Sequence, residues 1–350
     1  MNTSRSIDPK NGFCTETKTY HSLRPCVSLP PLSQPLSITD YALSILQQSP
    51  KTFSTTTTVL IDASTGRHLS YGEFLSQIRS LVSSLKTHFP SLSKGHVAFI
   101  LSPTSLHVPV LYLALLALGV IVSPANPIGS ESEVAHQVRL SNPVVAFATS
   151  SYSRKLPKLP LGTVLIDSPE FLSMLNSTTT QAHRVDVSQS DSAAILYSSG
   201  TTGRVKGVIL SHRNLIALIA GLTQLSHVSD PDPNDPLPVL FFTLPLFHVF
   251  GFFMAVRAVS MGATMVLMER FELEGMLRAV EKYKVTYMPV SPPLVVALVK
   301  SDLVNKYDIS SLRGLGCGGA PLGKETAQLF NAKFPSVDIV QVYLRVGIIK

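Results

Sequence analysis

The sequence predicts an α/β fold of two doubly wound, mostly parallel βα lobes. Short, almost wholly apolar runs alternate with helical stretches of about ten or more residues. This alternation is typical of parallel strands that are covered by helices on both faces of the sheet. The predicted strands are VAFIL (97–101), VIV (120–122), VVAFA (144–148), AAILY (193–197), GVIL (207–210), VLFF (239–242), ATMVLM (263–268) and VTYM (285–288).

Three serines mark the starts of predicted helices. Ser70 with Glu73, and Ser130 with Glu133, form capping boxes in which the hydroxyl accepts a backbone N–H and the carboxylate reaches back to the cap. Ser211 is the predicted N-cap of the helix that begins HRNLIALIAGLTQL.

The apolar run at 106–122 is predicted to lie in the core and not in a membrane. His107 and Pro109 interrupt it, and Gly119 is followed by three β-branched residues. We therefore expect a buried helix, a glycine C-cap and a buried strand, with no integral membrane segment.

Composition divides the chain into an arm and two lobes. Residues 1–38 are rich in Ser, Thr and Pro without periodicity, which predicts a flexible N-terminal arm. We expect a first α/β lobe over 39–230 and a second one over 231–350, joined by the Pro/Asp-rich stretch SDPDPNDPLP at 229–238.

Charge and cysteine content exclude several classes of function. The net charge of +7 comes from scattered residues without a basic stripe, which argues against a nucleic-acid partner. Cys14, Cys26 and Cys317 lack disulfide or zinc spacing, which indicates a reducing compartment. Without a secretory signal or a Ser-Lys-Leu ending, we expect this form in the cytoplasm; a full-length relative could be peroxisomal.

The stretch LYSSGTTGRVKGVILSHRN at 196–214 is suited to bind an oligophosphate. Its glycines allow positive φ and close approach of backbone amides, while hydroxyls and Lys206 supply donors and charge. The spacing fits neither the Walker pattern nor the dinucleotide fingerprint. The alternative is a surface hairpin without a ligand. The loop residues proposed to hold phosphates are Ser198, Ser199, Gly200, Thr201, Thr202 and Gly203.

This stretch resembles the signature loop of the acyl-adenylate-forming enzymes, specifically of plant 4-coumarate:CoA ligase-like proteins. Further matches follow in the family's order: LPLFHVFGF at 244–252, GCGGAPLGKE at 316–325, and Gln341, where the family's QGYG segment begins. The resemblance implies the large N-terminal domain of that fold, with its β-barrel subdomain and C-terminal lid domain missing from this chain.

The resemblance implies an ATP-dependent acid–thiol ligase. A carboxylate attacks the α-phosphate of Mg-ATP to give acyl-AMP and pyrophosphate, and the sulfur of coenzyme A then displaces AMP. The implied cofactors are ATP, Mg²⁺ and coenzyme A, and the implied partner is a small aromatic or fatty carboxylate. The sequence leaves open whether the chain has protein partners.

Site residues follow from the resemblance, position by position. The phosphate loop would include Lys206, and Tyr343 would stack on adenine beside Gln341. His248 would contact the acyl carboxylate and is the one predicted catalytic residue. The other implied residues are Phe250 and Met254 in the acyl pocket, Arg270 at the phosphate of coenzyme A, and Gly319, Ala320 and Pro321 beside the adenine and acyl groups. No metal ligand is assigned.

Each of these residues also has a structural interpretation. His248 lies among phenylalanines, so burial tendencies alone favour a core histidine. Phe250 and Met254 would then belong to a core stripe, Arg270 would be a solvated charge, and 318–321 would be a tight turn between strand and helix.

The match ends at residue 342. Val342 and Leu344 stand where the family has glycines, and the acidic residue that helps to bind magnesium is absent. We expect a truncated form, from splicing or from a gene-model error, with impaired ligase activity. The alternative function is a catalytically inactive nucleotide- or acyl-binding module. A third interpretation, a peripheral membrane protein, depends only on the apolar runs.

Overall fold

The computed structural model describes residues 7–23, 26–48, 54–177, 185–198, 205–228 and 236–342. Their strands are β1 (Phe13–Cys14), β2 (Thr19–Tyr20), β3 (Thr58–Asp62), β4 (His68–Ser70), β5 (Val97–Leu101), β6 (Ile121–Pro124), β7 (Val145–Ala148), β8 (Thr163–Leu165), β9 (Ser192–Ser198), β10 (Lys206–Ser211), β11 (Val239–Phe242), β12 (Thr264–Leu267), β13 (Tyr287–Val290), β14 (Gly314–Gly318) and β15 (Asp338–Val342).

Helices connect most of these strands. They are α1 (Ile38–Gln48), α2 (Tyr71–His88), α3 (His107–Ala117), α4 (Glu131–Ser141), α5 (Ser150–Ser153), α6 (Pro169–Leu175), α7 (His212–Val228), α8 (Val249–Ser260), α9 (Leu273–Tyr283), α10 (Pro292–Lys300), α11 (Lys324–Lys333) and a 3₁₀ turn (Asp302–Lys306).

Two large sheets organise the described part of the chain. The first has the strand order β10-β9-β6-β5-β7-β8, and the second has the order β15-β14-β13-β11-β12-β3-β4. Neighbouring strands are parallel except for the antiparallel pairs β9/β10 and β3/β4. The α/β class with mostly parallel sheets is therefore confirmed.

The central strands bury both of their faces. In β11, Leu240 and Phe242 belong to a core between the two sheets, and Phe241 belongs to a core on the outer side. In β5, Ile100 belongs to the core between the sheets and Phe99 belongs to a core on the outer side of the first sheet. The result is five layers, with one helical layer shared by both sheets, and this double burial explains the nearly continuous apolar runs.

All eight predicted strand runs overlap strands, but GVIL has an unexpected environment. It forms β10, an antiparallel edge strand in which Ile209 is 51% exposed, whereas the apolar run indicated burial on both faces. Sequence reasoning missed the other seven strands, which are β1, β2, β3, β4, β8, β14 and β15. Strands β1 and β2 have two residues each, and β14 is rich in glycine. The apolar runs of β3, β4, β8 and β15 are at most three residues long and are flanked by polar residues.

The predicted helix caps are confirmed. Ser70 and Ser130 each accept a hydrogen bond from the N–H of the glutamate three residues later, and that glutamate accepts from the cap N–H. Ser211 exchanges hydrogen bonds with Asn214 at the start of α7. These local contacts fix where helices follow strands.

The apolar run at 106–122 forms α3, a turn and β6, as predicted. Gly119 has a φ of +67° between the helix and the strand. In the part of the chain that the structure describes, no helix is long and apolar enough to cross a membrane.

Lobe boundaries differ from the sequence prediction in two places. Strands β3 and β4 fall within the predicted first lobe, but β3 pairs with β12 of the second sheet. The N-terminal arm was predicted to be flexible up to residue 38, yet Gln189 Nε2 donates to the carbonyls of Pro31 (2.7 Å) and Gln34 (3.0 Å). Part of the arm thus packs on the first lobe. The predicted boundary at 230/231 lies outside the described residues.

Candidate active site

The second sheet has a topological switch point between β11 and β13. The connection after β11 leads to β12 on one side, whereas the connection after β13 leads to β14 on the other. Crevices at the carboxyl ends of such strands are where open α/β sheets bind ligands. The Oγ1 of Thr243 donates a hydrogen bond to the carbonyl of Pro289 and joins the two strand ends there.

His248 lies in the connection after β11 and begins α8. Its Nδ1 accepts the N–H of Phe250 at 3.4 Å, so the imidazole is the N-cap of the helix. A neutral imidazole that accepts at Nδ1 carries its proton at Nε2. The ring therefore offers an N–H donor at Nε2.

The environment favours the neutral form of His248. Desolvation by the surrounding protein lowers the pKa of the imidazole, although the side chain remains exposed to solvent in part. A neutral ring with Nε2–H can donate a hydrogen bond to a carboxylate. The core-histidine alternative fits this partly exposed position less well.

Gly251 allows the turn before α8 to pack against the helix. A Cβ at this residue would lie 2.1 Å from the carbonyl oxygen of Pro245, well inside van der Waals contact. The same turn is held from the first lobe, because the hydroxyl of Tyr112 donates to the carbonyl of Leu246 at 3.3 Å. Glycine at 251 thus positions His248.

The turn after β14 lies at the same edge of the sheet. Gly319 has a φ of +87°, and no atom of the described residues lies within 4 Å of where its Cβ would be. Ala320 and Pro321 are exposed, and the Oε1 of Gln341 accepts the N–H of Leu322 at 3.2 Å. This contact joins the end of β15 to the turn that contains Gly319.

Ser198 and Lys206 form the base of the predicted phosphate loop. They face each other in the antiparallel pair β9/β10, at the carboxyl end of β9, and both are exposed. The hairpin geometry places a hydroxyl and an ammonium group on adjacent strands. Ser199, Gly200, Thr201, Thr202, Gly203 and Tyr343 lie outside the described residues.

The predicted acyl-pocket residues lie in the core. Phe250 and Met254 occupy one face of α8 and are 4% and 2% exposed. Their burial agrees with the core-stripe alternative, and a role in an acyl pocket stays a prediction. Arg270 is exposed in the connection after β12.

Sequence reasoning missed Thr243 and Gly251 at this site. The signal for Gly251 is a glycine in the first turn of a helix. Glycine destabilises a helix, so its presence there indicates a position where a side chain would collide with a neighbouring group. The signal for Thr243 depends on which strands are neighbours, which the sequence does not show.

Comparison with known proteins identifies the family. The model of the family described as AMP-binding enzyme matches residues 46–343. The chain belongs to this family. It is 60% identical over 352 aligned residues to "4-coumarate--CoA ligase-like 9" of Arabidopsis thaliana, covering 98% of this chain and 62% of the relative. It is 35% identical to "Peroxisomal OPC-8:0-CoA ligase 1" of the same plant, covering 97% and 62%.

A solved structure supports the fold. The N-terminal domain of FACL13 from Mycobacterium tuberculosis, in an inhibitor-bound crystal, superposes with a TM-score of 0.73 at 19% identity. The superposition covers 88% of this chain and 76% of that domain. The expected large N-terminal domain fold is thus confirmed, and the chain spans 62% of the length of the curated relatives named above.

Proposed function

We propose that this chain is the nucleotide- and acyl-binding part of an ATP-dependent acid–thiol ligase. The observation that carries the proposal is the Ser198/Lys206 pair at the carboxyl end of β9, in a member of the AMP-binding enzyme family. In the first step, a carboxylate oxygen bonds to the α-phosphorus of ATP and the bond to pyrophosphate breaks. In the second step, the thiol sulfur of coenzyme A bonds to the acyl carbon and AMP leaves.

The residues at the hairpin fit the triphosphate of ATP. Lys206 supplies a positive charge, and Ser198 supplies a hydroxyl across the strand pair. Together with Ser199, Gly200, Thr201, Thr202 and Gly203, they would neutralise and orient phosphate oxygens, which is the main requirement of phosphoryl and nucleotidyl transfer. Bound ATP supplies the activated phosphorus for the reaction.

The second-sheet edge fits the acyl and adenine groups. The Nε2–H of His248 would donate to the substrate carboxylate and hold it toward the α-phosphate. The open backbone at Gly319, with Ala320 and Pro321, would leave room for the nucleotide, and Tyr343 beside Gln341 would stack on adenine. Phe250 and Met254 would limit the size of an aromatic or fatty carboxylate.

The implied cofactors also include Mg²⁺ and coenzyme A. No group of three His, Cys, Asp or Glu side chains in the described ranges is arranged to hold a metal ion. Mg²⁺ is commonly bound through substrate phosphates, and the phosphates of ATP would supply such ligands here. Arg270 would contact a phosphate of coenzyme A. The location of the chain in the cytoplasm stays a prediction.

Acid-dependent exchange of pyrophosphate into ATP tests the proposal. The purified chain, mixed with Mg-ATP, labelled pyrophosphate and a panel of aromatic and fatty acids, is expected to exchange label only when its acid is present. Nucleotide binding without exchange for any acid would favour the alternative, a catalytically inactive nucleotide- or acyl-binding module. A folded chain that neither binds nucleotide or acid nor exchanges pyrophosphate would contradict both the proposed function and the alternative.

A further inference from the structure

Helix α4 of the first lobe contacts both strands of the β9/β10 hairpin. On one side, the hydroxyl of Tyr197 donates to the carbonyl of Gln137 at 3.0 Å. On the other side, the Nε2 of His136 lies 3.2 Å from the carbonyl oxygen of Val205 and donates to it. Two consecutive residues of one helix therefore hold the two strands where the phosphate loop leaves and re-enters the sheet.

These contacts adjoin the residues proposed to bind phosphate. Tyr197 precedes Ser198 in the chain, and Val205 precedes Lys206. The hydroxyl of Tyr197 is held further by Ser123 Oγ of β6 at 2.7 Å. An anion site needs its donors placed before the ligand arrives, because ordering them afterwards reduces the affinity.

We propose that His136 is a positioning residue for the Ser198/Lys206 pair. Its imidazole fixes the backbone that carries Lys206 and does not itself need to touch the ligand. Edge strand β10 pairs only with β9 among the described strands, and the contact of His136 with Val205 adds a second attachment next to the end of β10 that carries Lys206. The inference rests on the proposed nucleotide-binding function.

The test compares Mg-ATP and AMP binding by isothermal titration calorimetry. His136→Ala is expected to weaken binding of Mg-ATP about fivefold, the size of one lost hydrogen bond, and to leave AMP within about twofold. His136→Gln is expected to bind like wild type, because its side-chain amide can donate from the position of Nε2. The matched control is His88→Ala, which removes an imidazole contact to the carbonyl of Ser84 (2.8 Å) on α2 and should change neither affinity.

Provided that the wild-type chain binds Mg-ATP, any of three results would overturn the inference. His136→Ala could bind Mg-ATP as tightly as wild type, it could lose as much affinity for AMP as for Mg-ATP, or His136→Gln could fail to restore the affinity for Mg-ATP. If His136→Ala does not fold, Tyr197→Phe is the second variant, since it removes only the hydroxyl that contacts Gln137 and Ser123. The same selective loss is then expected, and unchanged binding contradicts the inference. A folded wild-type chain that binds no Mg-ATP overturns the proposed function as well.

Discussion

His248 shows how a helix cap can prepare a side chain for a carboxylate. Accepting the N–H of Phe250 assigns the proton of the neutral ring to Nε2, and partial desolvation lowers the pKa so that the neutral form dominates at pH 7. One ring nitrogen thus caps the helix while the other can donate to a carboxylate. A lysine side chain could donate to a carboxylate but could not accept the N–H of Phe250.

Replacing His248 tests this assignment. In the exchange assay, His248→Ala is expected to lower the acid-dependent rate about a hundredfold, the typical loss for one donor to a reacting group. Binding of Mg-ATP should stay within about twofold. His248→Gln retains an amide donor and should recover part of the rate; equal exchange by wild type and His248→Ala contradicts the role of His248.

Gly251 tests the packing that positions His248. Gly251→Ala forces a methyl group against the carbonyl of Pro245, so we expect a loss of at least about 2 kcal/mol in the free energy of unfolding. The matched control is Gly221→Ala in α7, where the nearest atom of the described residues to the new Cβ is 4.0 Å away. There, higher helix propensity should leave stability unchanged or raise it by up to about 1 kcal/mol. Denaturant titrations with equal effects of the two changes would contradict the steric account.

At the scale of elements, a buried histidine joins α1 to α7. The Nδ1 of His212 accepts the N–H of Ile38 at 3.0 Å, and its Nε2 has no hydrogen-bond partner among the described residues. Burial lowers the pKa of His212 to about 4, partly opposed by the charge of Asp191. The folded chain therefore keeps this ring neutral at pH values where the unfolded chain protonates it.

This pKa predicts a loss of stability in acid. The contribution of His212 is fully present above pH 6.5 and falls as the pH drops toward 4, by at most about 3 kcal/mol, because only the unfolded state takes up the proton in that interval. His212→Asn keeps an acceptor for Ile38 but cannot titrate. Unfolding measured from pH 7 to pH 4.5 should show a flatter dependence for the variant, and parallel curves would contradict the assignment.

The helices and strands that could be predicted from the sequence are those whose signals lie within a few consecutive residues. The Ser70 and Ser130 boxes and the apolar runs identify helix starts and buried strands without knowledge of neighbours. Strand β3 and the turn at Thr243 depend on pairing across the second sheet, which no local pattern encodes. The family resemblance therefore predicted the individual residues of the site. That His248 and Gly319 follow strands close together in the same sheet became known only from the strand order.

On the scale of the whole molecule, one core belongs to both sheets. It includes Ile100 of β5 and Leu240 of β11, and the hydroxyl of Tyr112 in α3, between β5 and β6, donates to the carbonyl of Leu246 after β11 at 3.3 Å. Neither sheet can expose its inner face without opening this shared layer.

The shared core predicts one cooperative thermal transition. Far-UV and near-UV circular dichroism should give coincident midpoints, since secondary structure and side-chain packing would be lost together. Two transitions separated by several degrees would show that the lobes unfold independently and would contradict the account of the shared layer.

Titration of the purified 350-residue chain with Mg-ATP, followed by calorimetry, tests the central claim most directly. Wild type is expected to bind one equivalent, and Lys206→Ala is expected to bind about tenfold more weakly, because it lacks the charge beside the phosphates. A cooperative thermal transition measured on the same samples establishes that both chains are folded. A folded wild type that releases or absorbs no heat and gains no thermal stability with millimolar Mg-ATP would contradict nucleotide binding at the β9/β10 hairpin.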